Sequence, residues 1–142
     1  MRFDVMTLFP ELVSGVLGES IIGRAQKAGH VSVHAHNIRD FANNKHRKVD
    51  DTPYGGGFGM LMMAPPVYDC FEHVHAEALK ELGENAKIRV IYMSPQGRVL
   101  TQKRAEELSE YDGLILLCGH YEGIDSRVLE EIVDEEISIG DY

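Results

Sequence analysis

The spacing of apolar positions changes several times along the chain, and each change marks a predicted element. Short alternating or continuous apolar runs are typical of strands, and they occur at residues 2–8, 31–37, 88–93, 113–118 and 136–139. Longer amphipathic segments predict helices, at residues 10–28, 66–82, 101–111 and 126–133. Gly15, Gly18 and Gly23 weaken the first helix and allow it to break into two.

This alternation of strands and helices indicates an α/β domain, with a mainly parallel sheet flanked by helices. Runs 88–93 and 113–118 are apolar almost throughout, which is typical of strands covered on both faces. Ligands of such sheets bind beyond the carboxyl ends of the strands. Two glycine-bearing loops, SPQGR (94–98) and GHYEGID (119–125), are predicted there. Each alone is more typical of a tight turn, but together they favour a ligand site.

Residues 38–63 show no sustained period and contain a string of glycines. In DDTPYGGGFGMLMM (50–63), four of the five positions from Gly55 to Gly59 are glycine. The segment is either a slack linker or an ordered loop whose backbone must approach a neighbour closely. Pro53, Phe58 and the apolar run 60–63 favour the ordered loop, because flexible linkers rarely carry such residues. Neither SPQGR (94–98) nor GHYEGID (119–125) matches a Walker loop or a dinucleotide fingerprint.

Composition indicates one globular domain: 142 residues, 44% hydrophobic and 26% charged. No apolar run approaches the ~20 residues of a membrane span, and no signal peptide is evident. We therefore predict a cytoplasmic protein with no membrane partner. Cys70 and Cys118 lie in apolar patterns without CxxC spacing, which favours two buried reduced thiols over a disulfide or metal site. His34 and His36 share one strand face, but no third ligand follows, and we predict no metal site there.

The formal net charge of −9 argues against a nucleic-acid partner, but the charges are unevenly distributed. Residues 130–136 hold five carboxylates, whereas residues 39–48 concentrate lysine and arginine. Because salt screens charges over about 8 Å, a local basic patch can contact RNA on an acidic molecule. On charge alone, an ordinary solvated loop is the favoured interpretation of this patch.

Seven segments in order closely resemble the bacterial tRNA (guanine-N1)-methyltransferases, and the likeness covers essentially the whole chain. They are LFPE (8–11), GRA (23–25), RDF (39–41), KHRKVDDTPYGGGFGMLMM (45–63), SPQGR (94–98), CGHYEGIDSRV (118–128) and EEISIGDY (135–142). The resemblance implies a knotted α/β fold of the SPOUT type and a homodimer. It also implies transfer of a methyl group from S-adenosyl-L-methionine to N1 of the guanosine 3′ of the anticodon, which maintains the reading frame. Magnesium is a possible further cofactor, at an unknown site.

By similarity, three segments would form the pocket for the methyl donor. They are Tyr92, Met93, Ser94, Pro95, Gln96 and Gly97; Gly119, Tyr121, Glu122 and Gly123; and Ser138, Ile139, Gly140, Asp141 and Tyr142. Glu122 would contact the target guanine, whose N1 and N2 hydrogens present two donors to one carboxylate. Asp50 would act in tRNA handling, and His46, Arg47 and Lys48 would contact phosphates. The glycine string would lie over the substrate and dimer region.

The family pattern continues well beyond the GDY motif at residues 140–142. Its expected general base, an aspartate, and a partner arginine lie in that later part, together with a carboxyl-terminal tRNA-binding domain. We therefore expect residues 1–142 to be the donor-binding SPOUT domain, with the knot possibly incomplete and the catalytic residues unknown. If the polypeptide ends here, we expect negligible turnover; if it continues, an ordinary enzyme. His120 stands where arginine is common in the family.

Two other functions remain open at the level of the sequence. The chain could be a non-catalytic dimerisation or RNA-binding module that keeps the fold without the reaction. It could instead be a phosphate-binding enzyme that uses GGGFG (55–59) as an anion nest, which predicts affinity for ATP or GTP.

Overall fold

A five-stranded parallel sheet forms the centre of the molecule in a computed structural model that describes residues 1–142. The strand order is β2–β1–β6–β5–β7, and every neighbouring pair is parallel. The strands are β1 (Arg2–Thr7), β2 (Ser32–Asn37), β5 (Ile88–Val99), β6 (Gly113–Cys118) and β7 (Glu135–Ser138). Two short antiparallel strands, β3 (Asp50–Asp51) and β4 (Leu61–Met62), form a separate ribbon. The predicted α/β class with a mainly parallel sheet is confirmed.

Five α-helices and one 3-10 turn connect these strands. They are α1 (Pro10–Leu17), α2 (Ser20–Lys27), the 3-10 turn (Ile38–Phe41), α3 (Ala64–Leu82), α4 (Gln102–Leu108) and α5 (Ser126–Ile132). The predicted helix 10–28 is broken at Gly18, and Gly23 packs directly on that break. A Cβ on Gly23 would lie 2.2 Å from the Gly18 carbonyl oxygen, so only glycine permits this close approach.

Other predicted boundaries move by a few residues for local reasons. Helix α3 begins two residues before the predicted start, because Pro65 and Pro66 both fit the first turn of a helix. Helix α4 begins after Thr101, whose hydroxyl accepts a hydrogen bond from the Arg104 amide (3.1 Å), and it ends at Leu108 rather than at residue 111. Strand β7 begins one residue before the predicted strand and ends one residue before its predicted end.

The core has two parts, one on each face of the sheet. The larger part lies under α3 and α5 and includes Val67, Cys70 and Val128. The smaller part lies under α4 and includes Ile91 and Leu108. Burial raises the pKa of the Cys70 thiol to about 12, and both cysteines are free. Cys70 is buried as predicted, whereas Cys118 is only half-buried.

A buried ion group holds α3 to the amino end of β1. Asp4 accepts hydrogen bonds from Arg2 Nε (2.9 Å), and its other oxygen lies 2.8 Å from His36 Nε2. Arg2 also contacts Glu81 on α3. Burial alone would raise the pKa of Asp4, but the hydrogen bonds with His36 and Arg2 outweigh it and hold that pKa below its ordinary value. His36 therefore packs against a carboxylate.

None of the helices combines the length and the apolar composition that crossing a membrane requires.

Candidate active site

Strand β5 contains the feature that organises the predicted site. The sequence predicted a strand ending at Met93 and a loop at 94–98, and this prediction is wrong in part. Met93 and Arg98 both pair with Ile137 of β7, so residues 94–97 bulge out and the strand then resumes to Val99. The bulge projects Ser94, Pro95 and Gln96 at the edge where the loop after β6 also lies.

The first cavity at this edge, the β5–β6 cavity, has a volume of about 420 Å³. It is lined by nine residues of the predicted donor pocket: Tyr92, Met93, Ser94, Pro95, Gln96, Gly119, Tyr121, Glu122 and Gly123. Its remaining wall is Leu61, His120, Ile124, Leu129 and Glu136. Two segments 23 residues or more apart in sequence therefore meet in one cavity, as expected for the carboxyl ends of neighbouring parallel strands.

A second hollow, the β5–β7 concavity, has a volume of about 470 Å³ and holds most of the third predicted segment. Ser138, Ile139, Gly140 and Tyr142 line it, together with Leu116, Cys118, Ile137 and three residues shared with the first cavity, Met93, Ser94 and Pro95. Side chains alternate along a strand, so Tyr92 packs with the core under α3 and α5, whereas Met93 packs with the core under α4. The predicted pocket residues are therefore divided between two hollows on either side of the bulge.

Two predicted pocket residues, Gly97 and Asp141, line neither hollow. Gly97 has a packing role, since a Cβ there would lie 2.6 Å from the backbone of Glu136 and Ile137. Glycine at this position lets the bulged part of β5 return to β7. Asp141 is exposed next to Tyr142.

The loop after β6 is shaped by unusual backbone angles and tight packing. Tyr121 has φ +59° and Gly123 has φ +137°, both in the left-handed region. A Cβ on Gly119 would lie 3.3 Å from both the Tyr92 hydroxyl and Ile124. The small residue lets Tyr92 reach under the loop, where burial and then the carboxylate of Glu136 raise the pKa of the Tyr92 hydroxyl.

The glycine string belongs to an ordered hairpin that is joined to this loop. Strands β3 and β4 pair Asp50 with Met62, and β4 then bonds to the loop after β6. The Glu122 amide donates to the Met60 carbonyl (3.0 Å), and the Met62 amide donates to the Gly123 carbonyl (2.9 Å). These backbone bonds anchor both ends of the string, and Gly59 within it packs against Glu122, which favours the ordered loop over the slack linker.

The two aromatic side chains of the hairpin lie on the surface. Phe58 is fully exposed, and Tyr54 is 79% exposed. Tyr54 nevertheless has a partner, because the Arg127 guanidinium lies 5.1 Å from its ring centre and is held by Asp125 at 2.6 Å. Order in the hairpin therefore comes from the backbone ladder and this cation–π contact, not from burial of its apolar side chains.

Gly59 makes the closest contact between the hairpin and the cavity. Its φ is +88°, and a Cβ there would lie 2.3 Å from Glu122 Cγ and 2.8 Å from Glu122 Oε1. The backbone of Gly59 is thus packed against the side chain that was predicted to contact guanine. A larger residue would have to displace the Glu122 carboxylate.

The charge of the β5–β6 cavity favours a cationic ligand. Glu122 and Glu136 line it, and no lysine or arginine does. A phosphate group would be repelled by this wall, whereas a positively charged group would be attracted.

The residues predicted to handle tRNA lie outside both hollows. Asp50 is half-buried on β3, opposite Met62, and so is connected to the loop after β6 through β4. His46, Arg47 and Lys48 are exposed. Arg47 forms an ion pair with Asp40, and the Lys48 backbone is bonded by the Asn44 side chain. These three residues form an exposed segment available to a partner, separate from the cavity.

Sequence reasoning missed five residues of the cavity wall. His120 and Ile124 lie in the loop that the glycine pattern had already indicated. Leu61, Leu129 and Glu136 come from β4, α5 and β7. Leu61 and Glu136 belong to segments that carry the family resemblance, but they were not assigned to the pocket. The structure brings together no group of three or more histidine, cysteine, aspartate or glutamate side chains suited to a metal ion, so the magnesium prediction is without a site.

Comparison with known proteins gives a consistent result over the whole chain. The tRNA (guanine-N(1)-)-methyltransferase of Ruminiclostridium cellulolyticum is 63% identical over 142 residues, which are 100% of this chain and 58% of the relative. That of Lachnospira eligens is 56% identical with the same coverage. The crystal structure of tRNA (m1G37) methyltransferase from Aquifex aeolicus superposes with a TM-score of 0.84 at 37% identity, covering 100% of this chain and 61% of that one.

The chain therefore spans 58% of the length of these two curated relatives. The family model described as tRNA (Guanine-1)-methyltransferase TrmD matches residues 1–142. Since that match covers every residue and agrees with the fold, the chain belongs to the TrmD family of tRNA (guanine-1)-methyltransferases.

Proposed function

We propose that the protein transfers a methyl group from S-adenosyl-L-methionine to N1 of the guanosine 3′ of the anticodon in tRNA. The observation that carries the proposal is the β5–β6 cavity, which has Glu122 in its wall and no lysine or arginine. Its volume of about 420 Å³ is in the usual range for small-molecule sites. The curated relatives are named tRNA (guanine-N(1)-)-methyltransferases, which supports a tRNA guanine as the methyl acceptor.

The donor fits the chemistry of this wall. Its sulfonium and ammonium groups are positive, and Glu122 and Glu136 supply negative charge. Leu61 and Ile124 offer apolar surface to the adenine ring, and Ser94 offers a hydroxyl beside backbone amides of the bulge. Because the β5–β7 concavity shares Met93, Ser94 and Pro95, a bent donor could extend across the bulge toward residues 138–142.

The acceptor would bind at the side of the cavity formed by Glu122. In the reaction, N1 of guanine forms a bond to the methyl carbon, the carbon–sulfur bond breaks, and the N1 proton is lost. The protein must align nitrogen, carbon and sulfur and place a carboxylate near the N1 and N2 hydrogens. Glu122 serves that contact. We propose no residue of 1–142 as the general base that accepts the N1 proton.

The wider tRNA surface would include Asp50 and the exposed segment with His46, Arg47 and Lys48, through phosphate contacts. We also propose a cytoplasmic location, a SPOUT-type knot and a second copy of the chain as partner. Exposed apolar side chains on α1 and α2 support the second copy, namely Leu12, Val16, Ile21 and Ile22. Analytical ultracentrifugation tests the dimer, and a monomer at micromolar concentration would contradict it.

Two measurements test the reaction. Titration calorimetry measures binding of S-adenosyl-L-methionine, and a methyl-transfer assay on tRNA, with mass spectrometry of the product, identifies the modified base. We expect micromolar donor binding and label at N1 of the guanosine 3′ of the anticodon. Binding of tRNA with no response to the donor would favour a non-catalytic RNA-binding module instead. Affinity for ATP would favour the anion nest, which the contact of Gly59 with the Glu122 carboxylate makes unfavourable.

A further inference from the structure

A third hollow, the basic concavity, lies between β5, α4 and β7 and has a volume of about 490 Å³. Arg89, Arg98, Lys103 and Arg104 line it. These are four of the chain's 14 lysines and arginines, gathered at one place in a molecule of net charge −9. Such a concentration requires an explanation, because like charges in one hollow repel each other unless something neutralises them.

Internal carboxylates neutralise only part of this charge. Glu107 and Glu135 also line the hollow. Arg104 pairs with Glu107 at 2.8 Å and with Glu135 at 2.5 Å, and Arg89 Nε lies 3.5 Å from Glu135. Four positive and two negative side chains leave a formal charge of +2 in the hollow.

Donors are also left without acceptors. Arg98 and Lys103 are exposed and take part in none of the ion pairs of residues 1–142. The Nε atoms of Arg89 and Arg104 are buried and make no hydrogen bond, although Arg89 Nε lies 3.5 Å from the Glu135 carboxylate. The bulge in β5 explains the position of Arg98, because it returns the strand to β7 opposite Ile137, in the wall of the hollow.

We propose that the basic concavity binds phosphate groups. Guanidinium groups match phosphate oxygens with paired donors, and an ammonium adds a further charge. The phosphate could be part of an RNA backbone or of a free diphosphate-bearing molecule. The RNA source rests on the proposed function, whereas binding of phosphate itself does not. The site adjoins the β5–β7 concavity through Ile137, so a bound strand would pass beside the proposed donor site.

Two double variants, each of which replaces one arginine and one lysine by neutral glutamine, test this site. In one, Arg98→Gln and Lys103→Gln remove the two free cations; in the control, Arg24→Gln and Lys80→Gln remove an exposed arginine and lysine elsewhere. Binding of tRNA is measured by fluorescence anisotropy over a range of salt concentrations, and binding of inorganic pyrophosphate by calorimetry. Thermal unfolding of both variants checks that they fold alike.

If the phosphates come from RNA, the Arg98/Lys103 variant should bind tRNA at least about fivefold more weakly. The slope of its plot of log affinity against log salt concentration should be smaller in magnitude by about 1 to 2, because each lost cation removes one phosphate contact. If the source is a free molecule, pyrophosphate binding should be lost while tRNA binding stays unchanged. The control should change neither.

If the two double variants bind tRNA equally well and also bind pyrophosphate equally well, the proposal is overturned. A wild-type protein that binds pyrophosphate at this site but binds no tRNA would contradict the proposed function and leave the phosphate site standing. The two proposals can therefore fail separately.

Discussion

The β5–β6 cavity and the basic concavity are similar in size and opposite in charge. The first has a volume of about 420 Å³ and is lined by two glutamates with no lysine or arginine. The second has about 490 Å³ and four cationic side chains. The interaction energy between a charged ligand and a wall side chain changes sign when the charge of that side chain changes sign. The wall charge therefore distinguishes cationic from anionic ligands, whereas the two volumes are too similar to do so. A sulfonium suits the first hollow and a phosphate suits the second.

One strand contributes to both hollows because its side chains alternate. Tyr92 of β5 faces the core under α3 and α5 and lines the β5–β6 cavity. Arg89 and Arg98 of the same strand line the basic concavity. The bulge at 94–97 brings Arg98 opposite Ile137, the position that Met93 also occupies, so that Arg98 joins Arg89 in the basic concavity.

The charges in the walls of the two hollows are assigned to ligands, whereas the buried Asp4 carboxylate stabilises the fold. Its removal gives the largest expected effect. Asp4→Asn should lower the free energy of unfolding at pH 7 by about 3 kcal/mol, because it removes the buried carboxylate that pairs with Arg2 and His36 and leaves Arg2 only its contacts with the exposed glutamates of α3. Urea unfolding measures the change. Asp51→Asn, on an exposed carboxylate, is the control and should change stability by less than about 0.5 kcal/mol.

The same pair gives a pH dependence with a definite sign. The pKa of Asp4 is lowered in the folded state, so its contribution is complete above the unfolded pKa of about 4 and is lost as pH falls through the folded value. Wild-type protein should therefore lose more stability between pH 5 and 2 than the Asp4→Asn variant. A variant with wild-type stability at pH 7 would show that this buried charge does not hold the fold.

Gly59→Ala should give the next largest effect, on the function of the β5–β6 cavity. The new Cβ would displace Glu122, and misplacing a catalytic contact by about 1 Å can lower a rate by about 100-fold. The control is Gly56→Ala, which has a similar φ of +80° but no heavy atom within 4 Å of the added Cβ. Single-turnover methyl transfer measures the rate, and calorimetry measures donor affinity, which should fall less. Equal rates for the two variants would exclude Glu122 as the residue affected.

Glu136→Lys should give a smaller effect and addresses wall charge directly. Placing a cation in the β5–β6 cavity should weaken donor binding by about tenfold at low salt, and less at high salt. Glu136→Gln removes the charge without reversing it and should weaken binding by only about threefold. Calorimetry at two salt concentrations provides the measurement. If Lys and Gln weaken binding equally, wall charge is not what distinguishes the two hollows.

Local patterns predicted the elements well and the site only in part. The apolar runs of β5 and β6 and the glycine loops after them were sufficient to locate the edge where the β5–β6 cavity lies. The same patterns did not predict that β5 pairs again with β7 at Arg98. The residues of SPQGR are typical of a turn, and the renewed pairing depends on Ile137 in a distant segment. Glu136 was missed for the same reason.

Taken alone, the sequence determined the α/β class, the family likeness and the loops that line the β5–β6 cavity, because all of these depend on local periodicity or contiguous motifs. Only the tertiary structure decided that Gly59 packs against Glu122, that the predicted pocket residues divide between two hollows, and that four cations converge beside β7. Those features depend on which segments meet in space, and the pairing of distant strands sets that geometry.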